Sequence, residues 1–124
     1  MNGSFVGCKP VDGYVVISTV GTVREGERIS RILVREGLAA CVNIIPGVKS
    51  IYSWKGKVCE EKEALLVIKT VRPRIDKIIK NIKALHTYEV PEILVFKAAK
   101  GEESYLNWLR QTAKSQAKKV IDNK

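Results

Sequence analysis

Histidine occurs once in the 124 residues, phenylalanine and tryptophan twice each, and cysteine three times. The single histidine, His86, excludes zinc sites built from several imidazoles and leaves almost no candidate for histidine acid–base chemistry. Cys8, Cys41 and Cys59 are odd in number and form no Cys-x-x-Cys pair. That argues against a disulfide framework or a zinc ribbon and for a reducing compartment, read here as cytoplasmic. Apolar runs such as Ala64–Ile68 and Ile93–Phe96 fall far short of the ~20 residues that span a membrane. Val6-Gly7-Cys8 has neither the preceding basic residue nor the apolar stretch of a signal sequence, so residues 1–12 read as a flexible leader. No Walker, Rossmann or nucleophile-elbow glycine pattern occurs. Acidic residues are also short: 13 Asp and Glu against 22 Lys and Arg leave a formal charge of +9. That excess raises nucleic acid, anionic ligands and acidic surfaces as partners without choosing among them.

What is present reads as one globular domain, residues 13–113, with a polar tail at 114–124. Tyr14–Thr19 is β-branched and aromatic and predicts a buried strand. Residues 25–36 carry Ile29, Ile32 and Leu33 at helical spacing, with Arg24, Arg28, Arg31 and Arg35 off that stripe. Gly37 stands where a helix C-terminal cap belongs. A second strand runs from Ala40 to Ile45, is interrupted at Pro46-Gly47 and resumes over Ser50–Trp54. Lys55-Gly56-Lys57 is a turn, and Val58–Thr70 a long third strand whose apolar core predicts burial on both faces. Pro73 opens a helix with Ile75, Ile78, Ile79, Ile82 and Leu85 on one stripe. Glu92–Lys97 is a fourth strand, and Tyr105, Leu106, Trp108 and Leu109 mark a short final helix. The order β-α-β-β-α-β plus a C-terminal helix is an α+β, ferredoxin-like split βαβ arrangement, a two-layer sandwich with both crossover helices on one sheet face. The other face then needs a cover, which a ligand or another copy of the chain must supply, an argument for a homo-oligomer.

Three groups of residues could carry function. Lys69, Arg72, Arg74, Lys77, Lys80 and Lys83 form a basic stretch, which reads as a solvated helix flank rather than a phosphate-binding face. An RNA-recognition domain shares the strand order, but the third strand has no stacking aromatic, which argues against nucleic acid as a partner. His86-Thr87-Tyr88-Glu89-Val90-Pro91-Glu92 gathers an imidazole, a phenol and two carboxylates; His86 and Glu92 could share one side and hold a transition metal, while a capped helix end is the plainer reading. Tyr52, Trp54 and Trp108 are large aromatics suited to a subunit contact, Trp54 at a hairpin tip. Neither Cys41 nor Cys59 has a visible base partner, so no catalysis is expected.

Cys41-Val42-Asn43-Ile44-Ile45-Pro46-Gly47-Val48 with Ser50–Lys57, Leu66–Thr70, His86–Glu92 and Tyr105–Leu109 resembles the CutA divalent-cation tolerance family, in that order, from about Tyr14 to Arg110. The resemblance implies a ferredoxin-like protomer in a homotrimer with sheets joined across subunits, kinship in shape to PII signalling proteins, and a link to tolerance of copper and other divalent cations. Within that architecture the candidate site is the cleft between subunits near Lys69, His86, Tyr88 and Glu92, for a divalent ion (copper or zinc) or a small anionic ligand. It also exposes departures. Position 87 is Thr where the family loop reads Pro, and Ser18 and Leu85 replace a Cys and a His that serve as proposed copper ligands in some members. The expectation is a non-catalytic, metal-responsive trimer; the alternative is an interaction module presenting a basic surface to acidic partners.

Overall fold

The computed structural model describes residues 13–114. The expected leader, 1–12, and the expected tail beyond Lys114 lie outside the described residues. Four strands and three helices follow in the order β1 (Gly13–Val20), α1 (Val23–Arg35), β2 (Cys41–Trp54), β3 (Lys57–Val71), α2 (Ile75–Leu85), β4 (Leu94–Lys97) and α3 (Glu103–Thr112). A 3₁₀ turn, Arg72–Arg74, carries Pro73 into α2. The sheet is antiparallel throughout, in the order β2-β3-β1-β4, which is the expected split βαβ topology.

Local chemistry sets the element ends. The Thr22 side chain accepts the Glu25 N–H at 3.0 Å and starts α1. Gly37 takes φ +73° while the N–H groups of Gly37 and Leu38 return to the Val34 and Leu33 carbonyls, a Schellman termination that a side chain at position 37 would strain. Lys55 and Gly56 both have positive φ, the type I′ geometry that joins two strands with two residues. Pro46-Gly47 does not end β2; the pairing with β3 shifts between Ile45 and Val48 and the strand continues as one bulged element.

The alternation of β1 and β3 sorts side chains onto two faces. Val16, Val20, Leu66 and Ile68 meet Ile29 and Leu33 of α1 and Ile78 and Ile82 of α2 in one buried cluster. Each fully buried side chain of this kind contributes about 1.5–3 kcal/mol. The opposite face carries Val15, Ile17, Leu65, Val67 and Lys69, all only partly buried. α3 covers one end of it, packing Leu109 with Ala40 and Val71. A Cβ at Gly13 would lie 3.0 Å from the Leu106 side chain and 3.3 Å from that of Leu109, so glycine lets α3 pack close there.

Two exposed features remain. β1 pairs with β3 only as far as Ala64, so residues 48–63 form a two-stranded arm beyond the sheet. Ile51, Tyr52, Trp54 and Val58 stand exposed on it, Val58 at 81%. β4 is shorter than the expected 92–97: only Leu94–Lys97 pair with β1, and Glu92 and Ile93 belong to the preceding loop, where Pro91 has no N–H to give a ladder. Leu94, Val95 and Phe96 are exposed along this sheet edge.

Candidate functional site

A cleft of about 670 Å³ lies where the arm meets the 86–92 loop. Glu61 and Glu63 reach it from β3, Ser50, Tyr52 and Trp54 from β2, and Tyr88, Glu89 and Glu92 from the loop. Four carboxylates and three aromatic rings line it, with no Lys or Arg, in a chain of net charge +9. Glu63 organises it. Its carboxylate accepts the Tyr88 phenol O–H at 2.6 Å through one oxygen and the Ser50 hydroxyl at 2.6 Å through the other. Burial, this hydrogen bond and the Glu63 charge hold the Tyr88 phenol above its ordinary range, so it remains a donor at neutral pH.

The loop itself is tied from behind. His86 ends α2, with its backbone N–H on the Ile82 carbonyl and its ring buried. Nε2 lies 2.7 Å from the Thr19 carbonyl, which can only accept, and Nδ1 receives the Tyr88 N–H at 3.0 Å. These partners assign the proton to Nε2 and the lone pair to Nδ1. The ring also packs on Tyr88 with centroids 4.6 Å apart. Glu25, in the first turn of α1, accepts the Thr87 N–H at 3.0 Å and the Thr87 hydroxyl at 3.1 Å. A proline at 87 could make neither bond, so the threonine gives this chain a lock between α1 and the cleft loop.

The residues expected at the site are therefore separated into groups. Tyr88, Glu92, Tyr52 and Trp54 share the cleft. His86 does not line it, and a metal on its ring would have to displace the Tyr88 N–H from Nδ1. Lys69 lies on the same sheet face as Glu63 but six residues along β3, roughly 20 Å away. Trp108 sits on α3 against Tyr105, with centroids 5.5 Å apart, away from the cleft. Ser18 is fully buried on β1, pairing with Leu66, and its hydroxyl has no partner among the described residues. Leu85 packs against the core. Cys41 and Cys59 are free thiols, both partly exposed. Sequence reasoning missed Glu61, Glu63 and Ser50; the alternation of the two glutamates in β3 was the available signal. No three His, Cys, Asp or Glu side chains among the described residues of one chain converge on a single metal position.

The profile of the family described as CutA1 divalent ion tolerance protein matches residues 14–112. The divalent-cation tolerance protein CutA of Thermus thermophilus is 47% identical over 97 residues, 78% of this chain and 94% of that protein. The chloroplastic CutA protein of Arabidopsis thaliana is 38% identical over 107 residues, 86% of this chain; the chain spans 59% of that relative's length. The solved structure of the PII-like protein CutA from Nostoc sp. PCC 7120 superposes with a TM-score of 0.76 at 36% identity, covering 82% of this chain and 97% of that one. The chain belongs to the CutA1 divalent ion tolerance protein family.

Proposed function

We propose that the chain acts in divalent-cation tolerance as a homotrimer that binds a divalent cation without catalysis, at the carboxylate cleft, with the neighbouring subunit completing each site. The observation that carries this reading is the segregation of Glu61, Glu63, Glu89 and Glu92 into one cleft of a basic protein. Carboxylate oxygens suit hard divalent cations such as Mn²⁺ and also bind zinc and Cu²⁺; Cu(I) prefers the thiolate that this cleft lacks.

Association is supported by what is left uncovered. A two-stranded hairpin is marginal in water on its own. The arm exposes Trp54 at 55% and Val58 at 81%, and the β4 edge exposes Leu94 and Phe96. Arm and β4 edge lie on opposite edges of the sheet order and are suited to cover each other between copies. The free thiols Cys41 and Cys59 suit a reducing compartment, and we assign the chain to the cytoplasm. No helix among the described residues is long and apolar enough to cross a membrane.

Calorimetric titration with zinc and with Cu²⁺ tests the site. Glu61→Gln with Glu92→Gln should weaken binding about tenfold or more, as loss of charged ligands does, whereas Lys69→Gln should leave it unchanged. Unaltered affinity in the double variant would remove the cleft as the site.

A further inference from the structure

α1 carries a second, opposite concentration of charge. Arg24, Arg28, Arg31 and Arg35 recur at spacings of four, three and four, which places them within about 60° of one another around the helix. All four are exposed, and the row extends about 16 Å. The helix contains no lysine, whereas the outer side of α2 carries Lys77, Lys80 and Lys83. The distinction matters, because a guanidinium presents a planar fork of donors that fits phosphate, while an ammonium is a hydrated point charge.

Two depressions flank the row and adjoin at Arg31. One, about 860 Å³, is lined by Arg24, Arg28 and Arg31 together with Glu25 and Glu27. Glu25 and Glu27 both oppose the arginines there, Glu25 held in place by the uncharged Thr87 donors. The other, about 420 Å³, lies between α1 and β2 and is lined by Ser30, Arg31, Val34, Arg35 and Val42, with no acid. Ser30 is 7% exposed, and its hydroxyl has no hydrogen-bond partner among the described residues. A buried donor left unpaired is a liability to the fold, and it stands in the wall of the acid-free depression beside two guanidinium groups.

We propose that this face of α1 binds a linear chain of phosphates. Arg31, Arg35 and the Ser30 hydroxyl, turned outward about its single side-chain bond, hold one end; Arg24 and Arg28 carry the continuation along the helix. Neither depression has an aromatic residue in its lining. A nucleic acid would want its bases stacked, so the chemistry favours a phosphate chain without bases. The site is on the helix layer, whereas the carboxylate cleft is at the arm end of the open sheet face, so the two proposals stand or fall separately.

The test is binding of short-chain inorganic polyphosphate to the full-length protein at near-physiological salt, by calorimetry. The native protein should bind. Arg31→Gln and Arg35→Gln should each lower affinity about tenfold, and Ser30→Ala by a few-fold. Each arginine removed should flatten the dependence of log K on log salt by about 0.7. The triple variant Lys77→Gln/Lys80→Gln/Lys83→Gln should bind within about twofold of the native protein, because exposed charges a Debye length apart act independently. Equal loss in that variant would reduce the effect to net charge and overturn the site. So would absence of binding by the native protein. Binding of single-stranded DNA with the same number of phosphates, as tight or tighter, would overturn the choice of ligand.

Discussion

Replacing Tyr88 by phenylalanine deletes one oxygen and, with it, the 2.6 Å bond from the phenol to Glu63. A hydrogen bond to a charged acceptor is worth about 1.5–3 kcal/mol net. Glu63 keeps its bond from Ser50, and the cleft admits water to the oxygen that is released. The cost therefore sits at the low end, about 1.5 kcal/mol. For a domain of this size each kcal/mol moves Tm by roughly 4–8 °C, so the variant should melt about 6–12 °C lower. The assay is urea unfolding followed by tryptophan fluorescence, at matched protomer concentration because association adds concentration-dependent stability. The midpoint should fall with the slope unchanged. Alkaline pH supplies a second arm. The phenol is raised above its ordinary value of 10.0 in the fold. A raised acid contributes stability that is complete below its unfolded pKa and is lost as pH rises above it. The gap between native and variant protein should thus be constant up to pH 10 and close beyond it. A gap under about 0.5 kcal/mol at neutral pH, the size of an ordinary surface change, or one indifferent to crossing pH 10, would refute the account of how Glu63 holds the loop.

Thr70→Val should cost about 1–2 kcal/mol in the same assay, because the buried Thr70 hydroxyl donates to the Leu38 carbonyl at 2.7 Å and valine leaves that acceptor unpaired. Thr87→Pro removes both bonds to Glu25; hydrogen exchange should show residues 87–92 opening faster while the β1–β3 ladder keeps its protection. Glu102 caps α3 by accepting the Ser104 and Tyr105 N–H groups, which lower its pKa below 4.5. A lowered acid stabilises above its unfolded pKa and is lost as pH falls through the folded one, so Trp108 fluorescence should report an acid-induced loosening of α3 that Glu102→Gln lacks. Phe96→Glu places a charge on the exposed β4 edge; sedimentation should shift the proposed trimer towards monomer by a thousandfold or more in association constant, if that edge is covered by another copy.

The α2 stripe was legible because every member obeys one local period. The fold buries Ile78 and Ile82 completely and leaves Ile75, Ile79 and Leu85 at the margin. The strand order was legible for the same reason, and the break at Pro46-Gly47 was visible as a break, although only the pairing with β3 shows it to be a bulge. His86 was legible as the end of α2, but the partners of its ring were not. Its ring is fixed by the Thr19 carbonyl, 67 residues earlier in the chain. Thr87 is fixed by Glu25, 62 residues earlier. Local spacing around the loop contains neither partner. Lys69 shows the converse limit: period two puts it on the face of Glu63, but a face is long, and six residues of extended chain remove it from the cleft.

The same distances bear on how a chain of charge +9 can offer a cation a place. Net charge is a sum over the surface, and at physiological salt a charge is felt over about 8 Å. The arginine row belongs to α1 and the carboxylates to the arm end of the open sheet face; the two meet only at the loop, where Thr87 lines the arginine depression and Tyr88 the cleft. An ion in the cleft has Glu61, Glu63, Glu89 and Glu92 as the charges of its lining, and a phosphate on α1 has the guanidinium groups, opposed there by Glu25 and Glu27. The antiparallel sheet makes this possible: its two faces are chemically independent because successive side chains point opposite ways. Glu61 and Glu63 lie two residues apart on one face, and the even positions Leu66 and Ile68 face the helix layer, whose α1 carries the arginines. Slipping β3 by one residue would move the glutamates to the helix side and the core leucine and isoleucine to the cleft. The register that builds the core is thus the same register that keeps the two charges apart.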